Sequence, residues 1–311
     1  MGVAPRVCVV GSSNIDLIAK VPRLPKLGET LVGHSFHLGY GGKGANQAVM
    51  AARLGAQVVM VTKVGRDVFG EGTLANYRQQ GVDATHVLFD DDRFSGVAPI
   101  LVDDSGRNVI VVVPGANLGL TPDDARRARD AITAAAVLIC QLEVPVETTL
   151  EAFQIAKAAG VRTMLNPAPA ALLPDDLLAL ADLCIPNETE AELLTGLPVA
   201  SLDDASAAAQ ALLARGPQTV VITLGGRGAL LADRESASHY AAVEVSAVDS
   251  TGAGDAFVGS LAVFLAEGIS LDHAIQRANA VAAMSVTKVG TQVSFPTRAD
   301  ADGFLRERGL L

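Results

Sequence analysis

The chain has 311 residues, and half of them are hydrophobic, which is enough for one large α/β domain or two smaller ones. Its 24 Lys and Arg residues face 34 Asp and Glu residues, which gives a net charge of -10 at pH 7. An acidic chain without a basic run is unsuited to binding nucleic acid, because neutralising phosphates requires clustered Lys and Arg.

The N-terminal segment has no secretion signal, and no apolar run approaches the roughly 18 residues that span a bilayer. We therefore expect a cytoplasmic protein without a membrane partner. Residues 7–10 predict a first buried strand, which the polar turn 11–16 follows. Ligands of α/β proteins bind at the carboxyl ends of strands, so Asn14 and Asp16 are candidates for binding hydroxyl groups. A turn without a function is the alternative.

Two separated segments predict a small antiparallel β lid. The first, 15–40, is interrupted by Pro and Gly and contains an alternating stretch at 31–38. The second segment, 96–112, covers nearly all of two predicted apolar strands, 97–102 and 108–113, which an Asp-Asp-Ser-Gly turn joins. We assign the remaining segments, 1–14, 41–95 and 113–311, to one α/β domain.

From residue 121 onward, segments typical of strands alternate with segments typical of helices. This alternation predicts parallel βαβ units in a mostly parallel sheet that helices cover on both faces. Glu143 follows the strand predicted at 137–141. Its place at the carboxyl end of a strand favours ligand binding, and a solvated loop residue without a function is the alternative. Cys8, Cys140 and Cys184 lie in apolar segments, which predicts buried free thiols without disulfides.

Two glycine-rich loops each run into a predicted helix, at 45–54 and at 256–266. Glycines leave the backbone open to an anion, and a helix N-terminus attracts one. Asp255 lies where the second loop meets its helix; taken alone, it is as consistent with an N-cap as with a catalytic residue. The loops read Gly41-Gly42-Lys43-Gly44-Ala45-Asn46-Gln47-Ala48 and Asp249-Ser250-Thr251-Gly252-Ala253-Gly254-Asp255.

Together, these two loops resemble the two signatures of the PfkB (ribokinase-like) carbohydrate kinases. The resemblance covers nearly the whole chain and extends to 166–170, 186–190 and 223–228. It implies a ribokinase-like α/β fold in which ATP phosphorylates the C5 hydroxyl of D-ribose, giving D-ribose 5-phosphate and ADP. A kinase of the same family acting on fructose, a nucleoside or a keto-deoxy sugar acid is the alternative.

The resemblance also implies roles for individual positions. It implies that Asp255 is the catalytic base and that Gly252, Ala253 and Gly254 form an anion hole. The implied sugar-binding residues are Asn14, Asp16, Gly42, Lys43, Gly44, Ala45, Asn46, Glu143 and Asp255. The implied nucleotide-binding residues are Asn187, Thr223, Leu224, Gly225, Gly226, Arg227, Gly228, Gly254 and Asn279.

The cofactors and partners follow from the same resemblance. It implies ATP as co-substrate, Mg²⁺ organised indirectly by Glu190, K⁺ as a monovalent activator, and a homodimer formed through the lid. The implied monovalent-cation residues, which act largely through backbone carbonyls, are Asp249, Thr251, Ser285, Lys288, Gly290 and Ser294.

Two other classes of protein fit the sequence less well. A Rossmann dehydrogenase requires a second glycine soon after Gly11, where Ser12, Ser13 and Asn14 stand instead. A sugar-binding protein without activity would be favoured by loss of the Asp255 carboxylate, which is present.

Overall fold

The computed structural model describes residues 4–311. Its strands are β1 (Arg6–Val10), β2 (Asn14–Val21), β3 (Ser35–Gly41), β4 (Gln57–Gly65), β5 (Val82–Asp90), β6 (Gly96–Asp103), β7 (Asn108–Ile110), β8 (Val137–Cys140), β9 (Arg162–Leu165), β10 (Leu183–Cys184), β11 (Thr219–Thr223), β12 (Ala229–Ala232) and β13 (Ala237–Tyr240). Its α-helices are α1 (Lys43–Arg53), α2 (Val68–Gln79), α3 (Pro122–Arg127), α4 (Arg129–Thr133), α5 (Val146–Ala158), α6 (Asp175–Ala179), α7 (Glu188–Thr195), α8 (Leu202–Leu213), α9 (Ala253–Ala266), α10 (Leu271–Ser285) and α11 (Arg298–Glu307).

The main sheet has nine strands in the order β13-β12-β11-β10-β9-β8-β1-β4-β5. The pairs from β11 to β5 are parallel, and only the two pairs at one edge, β11 with β12 and β12 with β13, are antiparallel. The prediction of a mostly parallel sheet is therefore confirmed. The carboxyl ends of its parallel strands meet at one edge, which is where ligands bind in such sheets.

Helices cover both faces of this sheet, as predicted. Alternate residues of β1 point to opposite sides: Val7 and Val9 enter one core, while Cys8 and Val10 enter the other. The first core is built mainly with α1, α9 and α10, and the second with α3 to α8. The expected buried free thiols are confirmed for all three cysteines.

A second, four-stranded sheet forms from the two predicted lid segments, in the order β3-β2-β6-β7. The outer pairs, β2 with β3 and β6 with β7, are antiparallel, whereas the central pair β2 with β6 is parallel. Asn14 pairs with both Gly41 and Gly96. The chain therefore enters or leaves the lid sheet at three neighbouring residues, Asn14, Gly41 and Gly96.

Several elements lie elsewhere than the sequence predicts. Residues 14–16 were expected in a turn but begin β2, because pairing on both sides outweighs the turn preference of Asn and Asp. The strand expected at 31–38 lies at Ser35–Gly41 instead. Strands β5, β12 and β13 and helices α6, α10 and α11 were not predicted. Within residues 4–311, no helix is both long and apolar enough to cross a bilayer.

Candidate active site

The second glycine-rich loop opens α9 at the carboxyl edge of the main sheet. Gly252 is the N-cap and adopts a left-handed φ of 79°. Only glycine fits there, since an added Cβ would lie 2.5 Å from Thr291 Cγ2. The helix begins at Ala253, so the N–H groups of Gly254 and Asp255 lie in its first turn, where no intrahelical acceptor exists. The helix dipole and these N–H groups together favour an anion.

Asp255 is held by the helix that follows the other glycine-rich loop. Its Oδ2 accepts from Asn46 Nδ2 at 2.8 Å and its Oδ1 from Gln47 Nε2 at 2.9 Å. The side chain is only 7% exposed. Burial raises the pKa of Asp255, while Lys43 and the two amides act in the opposite direction. Asp255 does not cap its own helix, so the alternative of a simple N-cap is wrong.

Lys43 lies among several carboxylates. Burial alone would lower the pKa of Lys43, but Asp255, Glu143 and Glu190 together hold it above its usual value. The Lys43 side chain therefore stays a cation next to the N-terminus of α9. A fixed positive charge at that place complements an anionic ligand.

Glu143 lies at the N-terminus of α1. Its Oε2 accepts from the Lys43 main-chain N–H at 2.9 Å and from the Ser12 hydroxyl. The alternative of a freely solvated loop residue is therefore wrong. Gly44 packs so closely on this turn that an added Cβ would lie 2.6 Å from the Ser12 nitrogen. Gly44 thus brings α1 against the end of β1.

Asp16 lies on β2, and its carboxylate is next to Gly41 of β3 and within range of the charges of Glu143 and Asp255. An added Cβ on Gly41 would come within 2.5 Å of Asp16 Oδ2, so the glycine leaves room for the acid. Burial, then the charges of Glu143 and Asp255, raise the pKa of Asp16 to about 6. Among residues 4–311 its oxygens have no hydrogen-bond donor. They are free to accept from a ligand.

Asn117, which the sequence analysis missed, fixes the orientation of Asn14. Its Nδ2 donates to Asn14 Oδ1 at 2.8 Å and to the Pro114 carbonyl at 2.9 Å. Its Oδ1 accepts from the Ser13 N–H at 2.8 Å. With Oδ1 so engaged, Asn14 offers its Nδ2 as a donor. No local pattern at Asn117 would have revealed this contact, which joins residues 103 positions apart.

Two adjoining cavities lead to Asp255 from the other side. A polar cavity of about 170 Å³ is lined by Lys43, Asn187, Glu190 and Thr223, together with the Gly252–Asp255 turn. A larger cavity of about 530 Å³ is mostly apolar and is lined by Gly225, Gly226 and Asn279. Its apolar lining was not predicted and includes Ala242, Val243, Val245, Ala282, Ala283 and Val286. The two cavities share Ser250 and Ala253, so they form one path.

Three residues of the implied nucleotide set lie outside both cavities. Leu224 is buried in the core. Arg227 turns away to bind Glu188 and the Ala200 carbonyl, at 2.6 and 2.7 Å. Gly228 has a φ of 96°, and an added Cβ would lie 2.0 Å from the Tyr240 carbonyl oxygen. The turn at this position therefore requires a glycine.

Asn187 and Glu190 form a capping box at the start of α7. Asn187 Oδ1 accepts from the Glu190 N–H, and Glu190 Oε2 accepts from the Asn187 N–H, both at 2.8 Å. Burial raises the pKa of Glu190, against the lowering effects of that N–H and of Lys43. Both residues are therefore caps that also line the polar cavity.

Most of the residues assigned to a monovalent cation lie on two loops that Asp249 joins, whereas Ser285 is the last residue of α10. Its Oδ1 accepts from Thr251 N–H and hydroxyl at 3.0 and 2.7 Å, and its Oδ2 from the Gly290 N–H at 2.9 Å. The hydroxyls of Ser285 and Ser294 turn back to carbonyls of their own turns. Lys288 is exposed. In the described part of the chain, no cluster of three or more His, Cys, Asp or Glu side chains could hold a metal.

The fold and the site together define a class. An anion-binding helix N-terminus next to a buried carboxylate, with an apolar chamber on one side and polar residues under a lid on the other, suits phosphoryl transfer from a nucleotide. Residues 4–298 match the family model of the pfkB family carbohydrate kinases. The chain belongs to this family, and it is a sugar kinase.

Individual relatives are similar over nearly their full length. Mouse ribokinase is 45% identical over 302 residues, covering 96% of this chain and 94% of the relative. The deoxyribokinase of Salmonella typhi is 42% identical over 292 residues, covering 94% and 95%. The solved structure of Arabidopsis thaliana ribokinase complexed with ribose and ATP superposes with a TM-score of 0.91 at 31% identity, covering 98% and 99%.

Proposed function

We propose that the protein transfers the γ-phosphoryl group of ATP to the C5 hydroxyl of D-ribose. The observation that carries this proposal is the position of Asp255. It lies at the N-terminus of α9, which favours an anion, between the polar cavity and the group formed by Asn14, Asp16 and Glu143 at the junction of the lid and α1. The similarity to ribokinases from mouse and Arabidopsis thaliana supports ribose as the acceptor.

In this proposal Asp255 is the base. Its carboxylate accepts the proton of the C5 hydroxyl as the oxygen attacks phosphorus. The loose transition state spreads negative charge over the transferred group. The N–H groups of Gly252 and Gly254, with the Lys43 cation, stabilise that charge. The N–H of Ala253, which the resemblance also implies, donates to the Ser250 carbonyl at 3.2 Å.

The sugar binds between the lid and α1. The proposed lid comprises 15–40 and 96–112, and the rest of the chain forms the catalytic domain. Asn14 donates and Asp16 accepts, so a sugar hydroxyl placed between them can satisfy both. Asn46 contributes less than the resemblance implies, because one amide hydrogen already binds Asp255 and its oxygen accepts from Gln292.

The different linings of the two cavities favour one orientation of ATP. The apolar cavity beside Gly225 and Asn279 suits the base, and the polar cavity suits the phosphates. Mg²⁺, when bound, would neutralise phosphate charge. Glu190 lies where it can hold a water of that ion, because Mg²⁺ usually keeps several waters.

K⁺ activation is proposed from the paired loops that Asp249 joins. Both Asp249 oxygens already accept from N–H groups, so a cation there would rely on main-chain carbonyls. Such an ion would fix the loop that positions the N–H groups at Gly252. We expect K⁺ to raise kcat, and Na⁺ or Li⁺ to substitute poorly. Unchanged activity in potassium-free buffer with tetramethylammonium as counter-ion would contradict this.

A substrate panel tests the function. ADP release is measured with D-ribose, 2-deoxy-D-ribose, fructose, a nucleoside and a keto-deoxy sugar acid, and the product is located by phosphorus NMR. We expect the highest kcat/KM for ribose, with phosphate on O5. 2-Deoxyribose is the second candidate because of the Salmonella typhi relative. A site whose polar groups bind the 2-hydroxyl should reject it strongly; equal or better turnover of 2-deoxyribose would favour that candidate.

A further inference from the structure

Gln141 presents a buried polar atom that the proposed chemistry does not explain. Its side chain follows β8 and is 0% exposed. Its Oε1 has no hydrogen-bond partner among residues 4–311. The oxygen lies over the Cα of Gly11, where an added Cβ would come within 2.0 Å of it. Unpaired buried carbonyls are rare because they are destabilising, so this orientation requires a cause.

The cause is the direction of a hydrogen-bond chain that begins at Asp255. An ionised carboxylate can only accept, so Gln47 turns its Nε2 towards Asp255 Oδ1, at 2.9 Å. The same Nε2 donates to Asn166 Oδ1 at 3.0 Å. The orientation of Asn166 is fixed independently, because its Nδ2 donates to the main-chain carbonyl of Ile185 at 2.9 Å.

Both donor hydrogens of Gln47 are therefore in use, and its Oε1 points the other way. Gln141 Nε2 donates to that oxygen at 2.6 Å. If the Gln141 amide were reversed, two carbonyl oxygens would face each other, so its Oε1 has to lie on the side of Gly11. The unpaired Gln141 Oε1 is thus the last atom of a hydrogen-bond series that runs from Asp255 through Gln47. The Asp255 carboxylate, which can only accept, fixes the donor-to-acceptor direction of every bond in the series.

We propose that Gln47 is a positioning residue for Asp255, held with its Nε2 towards the carboxylate by Gln141 and Asn166. The inference rests on the proposed role of Asp255 as the base. A donor to the carboxylate favours its ionised form, which is the form that can accept the hydroxyl proton. The main chain of Gln47 is fixed as well, since a Cβ on Gly259 of α9 would lie 2.7 Å from its carbonyl oxygen.

Gln47→Leu removes the donor and keeps a side chain in the buried space. We expect kcat for ribose to fall roughly 10- to 100-fold, as for the loss of one hydrogen bond to a charged group. The KM for ATP should stay within about twofold, because the nucleotide contacts are untouched. The acid limb of the pH profile of kcat should move to higher pH, since the pKa of the carboxyl is no longer held down.

The other charged groups around Asp255 remain in the variant, so they do not account for such a shift. They are Lys43, Glu143, Asp16 and Glu190. A role in folding alone would leave the acid limb where it is in the parent. The pH at which the acid limb lies therefore distinguishes a positioning role of Gln47 from a purely structural one.

Gln141→Met provides a second variant with a smaller perturbation. It removes one unpaired oxygen and leaves Gln47 Oε1 unpaired instead, so we expect little change in Tm. Gln47 is then less firmly oriented, and both kcat and the acid limb should change as in Gln47→Leu, but less. Thr148→Val is the control: it removes a buried hydroxyl that donates to the Leu120 carbonyl at 2.8 Å, and should leave the acid limb in place.

Asp255→Asn, measured alongside, distinguishes the two hypotheses. Parental kcat in Asp255→Asn would overturn the proposed base. An inactive Asp255→Asn combined with an unmoved acid limb in Gln47→Leu and Gln141→Met would overturn the positioning role alone. If Gln47→Leu does not fold, the acid limb of Gln141→Met decides the matter.

Discussion

Among single residues, Asp255 is the one on which the proposed transfer depends most directly. Asp255→Asn keeps the size of the side chain but removes the base, so we expect kcat to fall by ~10²–10⁴, the usual range for a general base. The new amide NH₂ also faces Asn46 or Gln47, both of which donate to the carboxylate in the parent. Calorimetry should show ribose binding that changes far less than kcat. Turnover near the parental rate would rule Asp255 out.

Asp16 links sugar binding to pH. Burial, followed by the charges of Glu143 and Asp255, raises the pKa of Asp16 to about 6 in the folded protein. The value exceeds that of an exposed Asp, so the ionised carboxylate destabilises the ligand-free fold above about pH 6. The destabilisation disappears as the pH falls from about 6 towards the ordinary value near 3.9, below which both states are protonated.

Asp16→Asn should therefore raise the Tm at about pH 7.5 and leave it nearly unchanged at about pH 4. The same change should raise the KM for ribose at neutral pH, because the carboxylate oxygens that accept from hydroxyls are lost, while the KM for ATP stays constant. In the parent, the KM for ribose should rise as the pH falls through about 6. An identical change of Tm at both pH values would contradict this account.

At the scale of elements, the lid meets the main domain along one row of paired residues. Asn14 lies between Gly41 and Gly96, and Val97 bridges to Val113. The Asn117 side chain, 1% exposed, joins this row to the turn that follows the second lid segment. The position of the lid and the orientation of Asn14 therefore depend on one buried amide.

Asn117→Ala should lower the free energy of unfolding by roughly 2–4 kcal/mol, because it removes the three hydrogen bonds described above and a fourth, from Asn117 Nδ2 to the Ser13 carbonyl at 3.1 Å, each contributing about 1 kcal/mol. The freed Asn14 amide can then rotate, so the KM for ribose should rise while the KM for ATP stays constant. Asn108→Ala, on the exposed strand β7, is the matched control and should change neither. Denaturant unfolding and steady-state kinetics measure both effects; equal rises in the two KM values would argue against a specific role of Asn117 in orienting Asn14.

The elements that were predicted correctly are those with local signals. Glycine-rich loops followed by residues of helical composition located α1 and α9, although both helices begin two or three residues earlier than predicted. The contacts that orient the site were not predictable in this way. Gln47 and Asp255 are 208 residues apart, and Gln141 and Gln47 are 94 apart. Buried amides resemble any other polar residues in the sequence until the fold brings them together.

At the scale of the whole molecule, the lid leaves an apolar surface exposed at both of its edges. The side chains on β3 and on the segment that begins with β7 are roughly half exposed, namely Phe36, Leu38, Val109, Ile110, Val111 and Val112. Exposed apolar strand edges favour pairing with another chain. We therefore propose that two copies pack lid to lid around a two-fold axis, the commonest symmetry of homo-oligomers.

Val111→Asp tests this arrangement, because it places a charge in the middle of the proposed contact. We expect light scattering to show a dimer for the parent at micromolar concentration and a folded monomer for the variant. The variant should also bind ribose weakly, since a lid without its partner orders and closes less readily over the sugar. Leu311→Asp is the control, because Leu311 is 51% exposed against 55% for Val111 but lies at the C-terminus. A monomeric parent would refute the lid-to-lid dimer, and a dimeric Val111→Asp would place the contact elsewhere on the surface.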